Sequence, residues 1–199
     1  MRKKSHISLA TYLMDNMQVQ DLKEHKKAFY IGSILPDLKP SFLTQRHTID
    51  ETFGQLIIEI KRITVDYDFN RGIGGYYARH LGVITHYLAD YCTFPHNSVF
   101  EGSFTEHVYY EKELKFSLKE YVHKEEAQID RLPNQPIQSI DDILRFIIKT
   151  HKEYLKALKE VKEDIQYIVY LCYKVVDALL QIFELAMKKS KLVPITDIS

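Results

Sequence analysis

Apolar residues recur every three or four positions along most of the chain, a spacing that predicts α-helices. The pattern is longest from about Lys162 to Lys189, where it indicates a core helix, with a coiled-coil surface as the alternative. Six further helices are predicted at about His6–Val19, Asp21–Ile31, Thr48–Asp66, Tyr76–Thr93, Phe104–His123 and Ile140–Glu160. The chain has only 7 Gly and 6 Pro. We therefore expect an all-α fold, a single bundle of about seven helices.

Polar residues mark where several of these helices begin. Thr48-Ile-Asp-Glu51 and Ser103-Phe-Thr-Glu106 are capping boxes, in which a hydroxyl and a Glu side chain satisfy free backbone N–H groups reciprocally. Ser139 is the expected cap of the helix that starts at Ile140. Ser5 is the expected N-cap of the first helix, which puts His6 in its first turn.

Length and composition restrict the class of protein. At 199 residues the chain is expected to form one domain, 1–199, because its only linker-like segment, Gln128–Ser139, is too short to separate two. Lys+Arg and Asp+Glu both number 27, so no overall charge favours nucleic acid or an anionic membrane. There is no run of eighteen apolar residues and no signal-peptide pattern. Cys92 and Cys172 lie outside any C-x-x-C motif, which fits a reducing compartment, although one disulfide is an alternative. We expect a cytoplasmic protein.

Five residues in the middle of the chain are of the types that bind metal ions. His86/Asp90 and His107/Glu111 have i,i+4 spacing, which on a helix puts both side chains on one face, about 5–6 Å apart at Cβ. His96 lies between them, in a connection that contains proline. One such pair is ordinarily a surface or capping pair, but two pairs and a further His predict a polynuclear metal site. This mixture of ligands suits Zn²⁺ best, with Fe, Ni or Mn as alternatives.

Three residues further upstream extend this set. His6 is in the first turn of a predicted helix, Asp37 is in the irregular stretch GSILPDLKP, and His47 directly precedes a capping box. Taken singly, His6 would be an exposed terminal histidine and Asp37 a turn residue.

With these residues included, the chain resembles the bacterial zinc-dependent phospholipase C family, whose all-helical fold is shared with the fungal single-strand-specific zinc nucleases. HYLADYCTFPH is similar to the family signature H-Y-L-G-D-x₅-H. The other matching strings are SHISLATYLMD, GSILPD, RHTID and HVYYE. The resemblance runs from His6 to Glu111 and gives all eight histidine and acidic positions of the family's metal cluster a counterpart in the same order.

The resemblance implies that eight side chains bind two to three zinc ions. The implied groups are Asp37, His47, His86 and Asp90 for one ion; His96, His107 and Glu111 for a second; and His6 with a bridging Asp90 for a third. Asp37 is also the implied catalytic residue, as general base or water-orienting group, and the sequence does not separate this role from that of a ligand. The remaining histidines match no ligand position: His25, His80, His123 and His151.

The resemblance also implies a function, that of a metal-dependent phosphodiester hydrolase of phospholipase C type in which a metal-activated water attacks phosphorus. Its substrate would be a phosphodiester, with a phospholipid head group as one candidate and nucleic acid still open. Two alternatives remain at this point. One is a nuclease or other phosphatase on the same scaffold, and the other is a non-catalytic, metal-stabilised binding protein.

The chain departs from the family at two places. Secreted members begin with a Trp whose amino group and carbonyl complete the third metal site, whereas here Met1 to Ser5 precede His6 and there is no Trp. Five extended residues span about 17 Å. The Met1 amine could therefore fold back onto a metal, and the alternative is a solvated chain end. Leu38 follows Asp37, where choline-preferring members have an aromatic residue, so choline specificity is not implied.

Overall fold

The computed structural model describes residues 1–38, 46–123, 137, 139–157 and 160–192. All regular secondary structure in these ranges is helical, which confirms the predicted all-α class. The described α-helices are α1 Lys3–Asn16, α2 Gln20–Glu24, α3 Lys26–Ile34, α4 Ile49–Arg62, α5 Gly75–Tyr91, α6 Phe104–His123, α7 Ile140–Tyr154 and α8 Val161–Leu192. Short 3₁₀ turns at Pro36–Leu38, Phe69–Arg71 and Phe94–His96 lie between them. Most of the predicted segment Gln128–Ser139 lies outside the described residues.

The predicted starts of α4, α6 and α7 are correct, and at each of them a side-chain hydroxyl caps the helix. The hydroxyls of Thr48 and Ser103 accept from the N–H groups of Glu51 and Glu106 at 3.3 Å each. Ser139 accepts from the N–H of Asp142 at 3.1 Å. These contacts fix the first turns of α4, α6 and α7, and two of those turns directly follow or contain a candidate metal ligand.

Two predictions about the N-terminal helices are wrong. Ser5 is not the N-cap of α1, because the helix begins at Lys3 with Arg2 as its cap. The carbonyl of Arg2 accepts from the N–H groups of Ser5 and His6, so Ser5 is a buried residue within the helix. The helix predicted at Asp21–Ile31 is divided at His25, whose φ of −104° and ψ of 20° end α2 before α3 begins.

Helix α5 is the centre of the fold and packs against α1, α3, α4 and α8. Nearly all of its side chains are buried, including Tyr77, Leu81, Ile84 and Leu88. Burying one leucine or isoleucine side chain contributes about 1.5–3 kcal/mol to the stability of the fold. Within the described residues, no helix is both long enough and apolar enough to pass through a bilayer.

Helices α3 and α5 cross with their backbones in contact. A Cβ atom at Gly32 would lie 2.0 Å from the carbonyl oxygen of Arg79, and one at Gly82 would lie 2.2 Å from the carbonyl oxygen of Phe29. The crossing therefore needs glycine on both helices. It brings the carbonyl of Ser33 to within 2.9 Å of Nδ1 of His86, one turn after Gly82.

A buried polar pair joins α4 to α5. Nδ1 of His80 is hydrogen-bonded to the carboxylate of Glu59, which also accepts from Arg62 at 3.1 Å. The ring of Tyr76 covers His80 at a centroid distance of 4.2 Å. Each partner compensates for burial of the other, because a buried charge without a partner is strongly destabilising.

Candidate metal centre

The candidate ligands meet at the C-terminal end of α5. His86 and Asp90 are one turn apart on this helix, and both are fully buried. The other six candidates come from the first turn of α1, the turn Pro36–Leu38, the residue before the α4 cap, the turn Phe94–His96 and the first turns of α6. A carboxylate is buried only where partners replace its water shell. The groups that surround Asp90 must therefore be partners for its buried charge.

The first group of ligands comprises Asp37, His47, His86 and Asp90. One ligand atom from each lies within 4.8 Å of those from the others. Nδ1 of His47 is 2.9 Å from Nε2 of His86 and 3.1 Å from Oδ2 of Asp90. Oδ1 of Asp37 is 3.6 Å from both imidazole nitrogens. Two nitrogens and two carboxylate oxygens at one point are a suitable donor set for a four-coordinate zinc ion.

The imidazole of His86 has a fixed orientation. Its Nδ1 donates to the carbonyl oxygen of Ser33, since a carbonyl can only accept. The lone pair of Nε2 is therefore directed into the group, 3.2 Å from Oδ2 of Asp90. Tyr87 packs edge-on against the rings of both His86 and His47, with centroids 5.6 Å apart in each case. Contacts of this kind keep a ligand's tautomer and ring plane constant.

The second group comprises His96, His107 and Glu111, whose ligand atoms also lie within 4.8 Å of one another. Oε1 of Glu111 is 3.4 Å from Nε2 of His96 and 3.4 Å from Nε2 of His107. The side chain of His107 is 31% exposed, so this group opens towards solvent. Three protein ligands with an open side are typical of catalytic zinc sites, which leave one position for water or substrate.

His6 contacts the first group from α1. Its ring stacks on that of His86 at a centroid distance of 4.0 Å, and its Nε2 is 3.4 Å from Oδ1 of Asp90. Both ring nitrogens are buried without a hydrogen-bond partner among the described residues. Leaving a buried polar atom unsatisfied costs about 1–3 kcal/mol. A bound metal ion would satisfy one of them, so these residues fit the metal that the sequence predicts.

The amine of Met1 lies between the two groups. It is 2.7 Å from Oδ1 of Asp90, 2.8 Å from Nε2 of His96 and 3.2 Å from Oε1 of Glu111. Met1 is only 4% exposed, so the N-terminus is not the solvated end that was one alternative. Binding of a metal by this amine stays a prediction.

The charges and burial around Asp90, Glu111 and His6 favour the protonation states in which these side chains can bind a metal ion. Burial alone would raise the pKa of Asp90, but the Met1 amine and the nearby imidazoles, His96 foremost, hold it well below its usual range. Burial opposes the shift at Glu111 too, and hydrogen bonds from His107 and His96 lower its pKa. Burial, and then His86, lowers the pKa of His6 to about 3. Near neutral pH Asp90 and Glu111 are ionised and His6 is neutral, as metal binding requires.

The structure brings all eight predicted residues to one place, in the groups that the resemblance implied. Their role as metal ligands stays a prediction. The carbonyl of Ser33 was missed, because no sequence signal identifies a backbone acceptor. His80 and His151, which match no ligand position, instead contact Glu59 and Asn97 respectively.

Fold and site together define an all-α protein with a candidate polynuclear metal centre of histidine and carboxylate ligands. The sequence model of the zinc-dependent phospholipase C family matches residues 5–161, and the chain belongs to this family. The predicted resemblance is thereby confirmed. No curated protein and no solved structure matches the chain.

Proposed function

We propose that the chain is a zinc-dependent phosphodiester hydrolase of phospholipase C type. The observation that carries this proposal is the position of Asp90 between the ligand groups. Its Oδ2 is 3.1 Å from Nδ1 of His47 and 3.7 Å from Nδ1 of His96, and its Oδ1 is 3.4 Å from Nε2 of His6. A carboxylate in contact with histidines of each group would be suited to bind neighbouring ions together, as in two-metal centres that cleave phosphoesters.

The two groups would hold separate zinc ions, with His6 and Asp90 contributing to a third. Bound zinc supplies Lewis acidity, which lowers the pKa of water and offsets the charge that develops on phosphoryl oxygens. The protein's part is to keep Asp90 and Glu111 ionised, to orient the ligands and, on the His86 side, to shield them from bulk water.

Asp37 is the proposed proton acceptor. Burial raises its pKa, although His86 acts in the opposite direction. Oδ1 is the oxygen that lies 3.6 Å from the nitrogens of His47 and His86, so the second carboxylate oxygen is the one proposed to accept a proton. Asp37 lies in the turn Pro36–Leu38, beside Leu38, which is 55% exposed. An exposed aliphatic residue there offers no aromatic face to a quaternary ammonium, so the proposed head group is not specifically choline.

The test combines elemental analysis of the purified protein with hydrolysis assays on a nitrophenyl phosphodiester, short-chain phospholipids, a phosphomonoester and single-stranded DNA. We expect bound zinc, and hydrolysis of the phosphodiester and the phospholipids that is lost in Asp90→Asn. Glu59→Gln is the matched control, since it also neutralises a buried carboxylate, but one outside both ligand groups.

The other outcomes identify the alternatives. Cleavage of DNA alone would assign the chain to the nuclease alternative, and cleavage of the monoester alone would indicate a phosphatase. Bound zinc without hydrolysis of any substrate would indicate a metal-stabilised binding protein. Absence of zinc from protein purified without chelators, and after reconstitution with zinc, would contradict the proposal.

A further inference from the structure

A buried carboxylate lies behind the second ligand group and belongs to neither group. Asp164 is in the first turn of α8 and has no exposed surface. It lies beyond residues 5–161, the segment that the family model matches. In the sequence it is an ordinary acidic residue near a helix start, where it complements the helix dipole.

The two oxygens of Asp164 contact different parts of the chain. Oδ2 accepts from the backbone N–H of Phe94 at 2.7 Å and from the hydroxyl of Tyr110 at 2.8 Å. Oδ1 accepts from the hydroxyl of Tyr154, in α7, at 2.8 Å. Burial, and then the Asp164 carboxylate itself, raises the pKa of both tyrosines, so both stay protonated and donate.

The donors to Oδ2 belong to segments that carry candidate ligands. Phe94 begins the 3₁₀ turn that ends at His96, and Tyr110 directly precedes Glu111 in α6. The rings of Phe94 and Tyr110 also contact each other, with centroids 5.9 Å apart. A single carboxylate oxygen therefore links both segments that form the second group, the turn Phe94–His96 and α6. By contrast, α7, which contacts Oδ1, carries no candidate ligand.

The other side of the same turn is fixed by Asn97. Its Nδ2 donates to the carbonyl oxygens of Tyr91 at 3.2 Å and Thr93 at 2.9 Å. Its Oδ1 accepts from Nε2 of His151, in α7, at 2.9 Å. His96 thus lies between two buried anchors, the N–H of Phe94 on one side and the side chain of Asn97 on the other.

We propose that Asp164 is a positioning residue for the second metal site, which holds His96 and Glu111 in a common register through Phe94 and Tyr110. The inference rests on the proposed metal-binding role of that group. The second group needs such support, because it has three ligands instead of four and opens towards solvent at His107. Groups that hydrogen-bond metal ligands directly alter metal affinity by about 10–100-fold when replaced, and we expect Asp164, which contacts the residues beside the ligands, to act at the lower end of that range.

The test is a metal titration of the Asp164→Asn variant. Cobalt binding is monitored by its absorption spectrum, and zinc affinity is measured by competition with a chelator. Glu111→Gln identifies the second-site step as the one that disappears in that variant. We expect Asp164→Asn to weaken this step by about tenfold while binding at the first group, Asp37, His47, His86 and Asp90, is unchanged. The cobalt spectrum of the second site should change as well, because a displaced His96 alters the coordination geometry.

Tyr154→Phe is the matched control. It removes a hydrogen bond to the same carboxylate, but from Oδ1 and from a helix without candidate ligands. We expect its thermal midpoint to fall while second-site affinity and the cobalt spectrum stay as in the unmodified protein. Tyr110→Phe removes one donor to Oδ2 and should weaken the second site measurably.

The outcomes separate this inference from the proposed function. If the unmodified protein binds no metal at His96, His107 and Glu111, the proposed function fails at that group. If it binds metal there and both Asp164→Asn and Tyr110→Phe behave like Tyr154→Phe, Asp164 is only a structural residue and the inference is overturned. Should Asp164→Asn fail to fold, the comparison of Tyr110→Phe with Tyr154→Phe decides.

Discussion

The amine of Met1 lies 2.7 Å from Oδ1 of Asp90, although 89 positions separate the two residues in the sequence. Burial alone would lower the pKa of this amine, but Asp90 and Glu111 raise it above its ordinary value of 8.0. In the metal-free protein the amine is therefore a protonated ion-pair partner at neutral pH. To bind a metal it must release that proton, so metal affinity should increase with pH.

The first prediction concerns this amine. Acetylating Met1, or adding a tag before it, should remove one metal per chain and reduce phosphodiester hydrolysis while the helical circular dichroism signal is retained. Acetylation should also reduce the number of protons released on metal binding, measured by calorimetry in buffers of different ionisation enthalpy. A C-terminal tag is the control. Equal stoichiometry and equal proton release in both forms would mean that the amine is only an ion-pair partner of Asp90.

The second prediction separates the two ligand groups. Asp90→Asn should lose more metal than any other single substitution, because its carboxylate contacts His47, His86, His96 and His6. Glu111→Gln should empty the second site alone. Elemental analysis after dialysis against zinc-free buffer measures both losses. The same loss from the two variants would contradict this division.

The third prediction concerns the head group. Leu38→Tyr should increase the rate with a choline ester relative to an ethanolamine ester, because an exposed cation–π contact contributes about 0.5–1 kcal/mol, roughly two- to fivefold. Competition kinetics with the two esters in one reaction measures this ratio. Leu38→Met changes the side chain without adding an aromatic ring and should leave the ratio unchanged. A ratio that is the same in Leu38→Tyr would place the head group away from this turn.

The fourth prediction concerns a pair that lies outside the ligand groups. Glu59→Gln weakens its hydrogen bond to His80 between α4 and α5, and should lower the free energy of unfolding by about 1–3 kcal/mol. Metal stoichiometry should not change. Urea denaturation with zinc present measures the first quantity, and elemental analysis the second. Loss of metal in Glu59→Gln would show that this pair also supports the centre.

Local spacing explains which parts of the site could be predicted from the sequence. The pairs His86/Asp90 and His107/Glu111 are each one helical turn apart, so periodicity alone places each pair on one face. The capping boxes at Thr48 and Ser103 likewise depend on neighbouring residues. The joining of these segments into one centre came from the resemblance, because no local rule gives the angle at which helices cross.

The features that could not be predicted depend on tertiary packing. The carbonyl of Ser33 accepts from His86 only because α3 and α5 are in backbone contact. Whether the Met1 amine is buried or solvated depends on the positions of α5 and α6, which carry its partners Asp90 and Glu111. Asp164 has no recognisable motif, since its three donors come from separate parts of the chain. The cap of α1 was misplaced at Ser5 because sequence favours a hydroxyl at that position, whereas the helix continues to Lys3 without a side-chain cap.

The glycine crossing restricts which sequences can keep this centre. In an exposed helix, Gly→Ala is stabilising by about 1 kcal/mol, so propensity alone favours alanine at Gly32 and Gly82. Here the added methyl groups would meet backbone atoms, which no change in a neighbouring side chain can relieve. The only relief is to move the two helix axes apart, which would lengthen the contact between Ser33 and His86. Variation at the two glycines is therefore limited by the geometry of His86, a candidate metal ligand one turn after Gly82. A second substitution at the partner glycine could not compensate for the first.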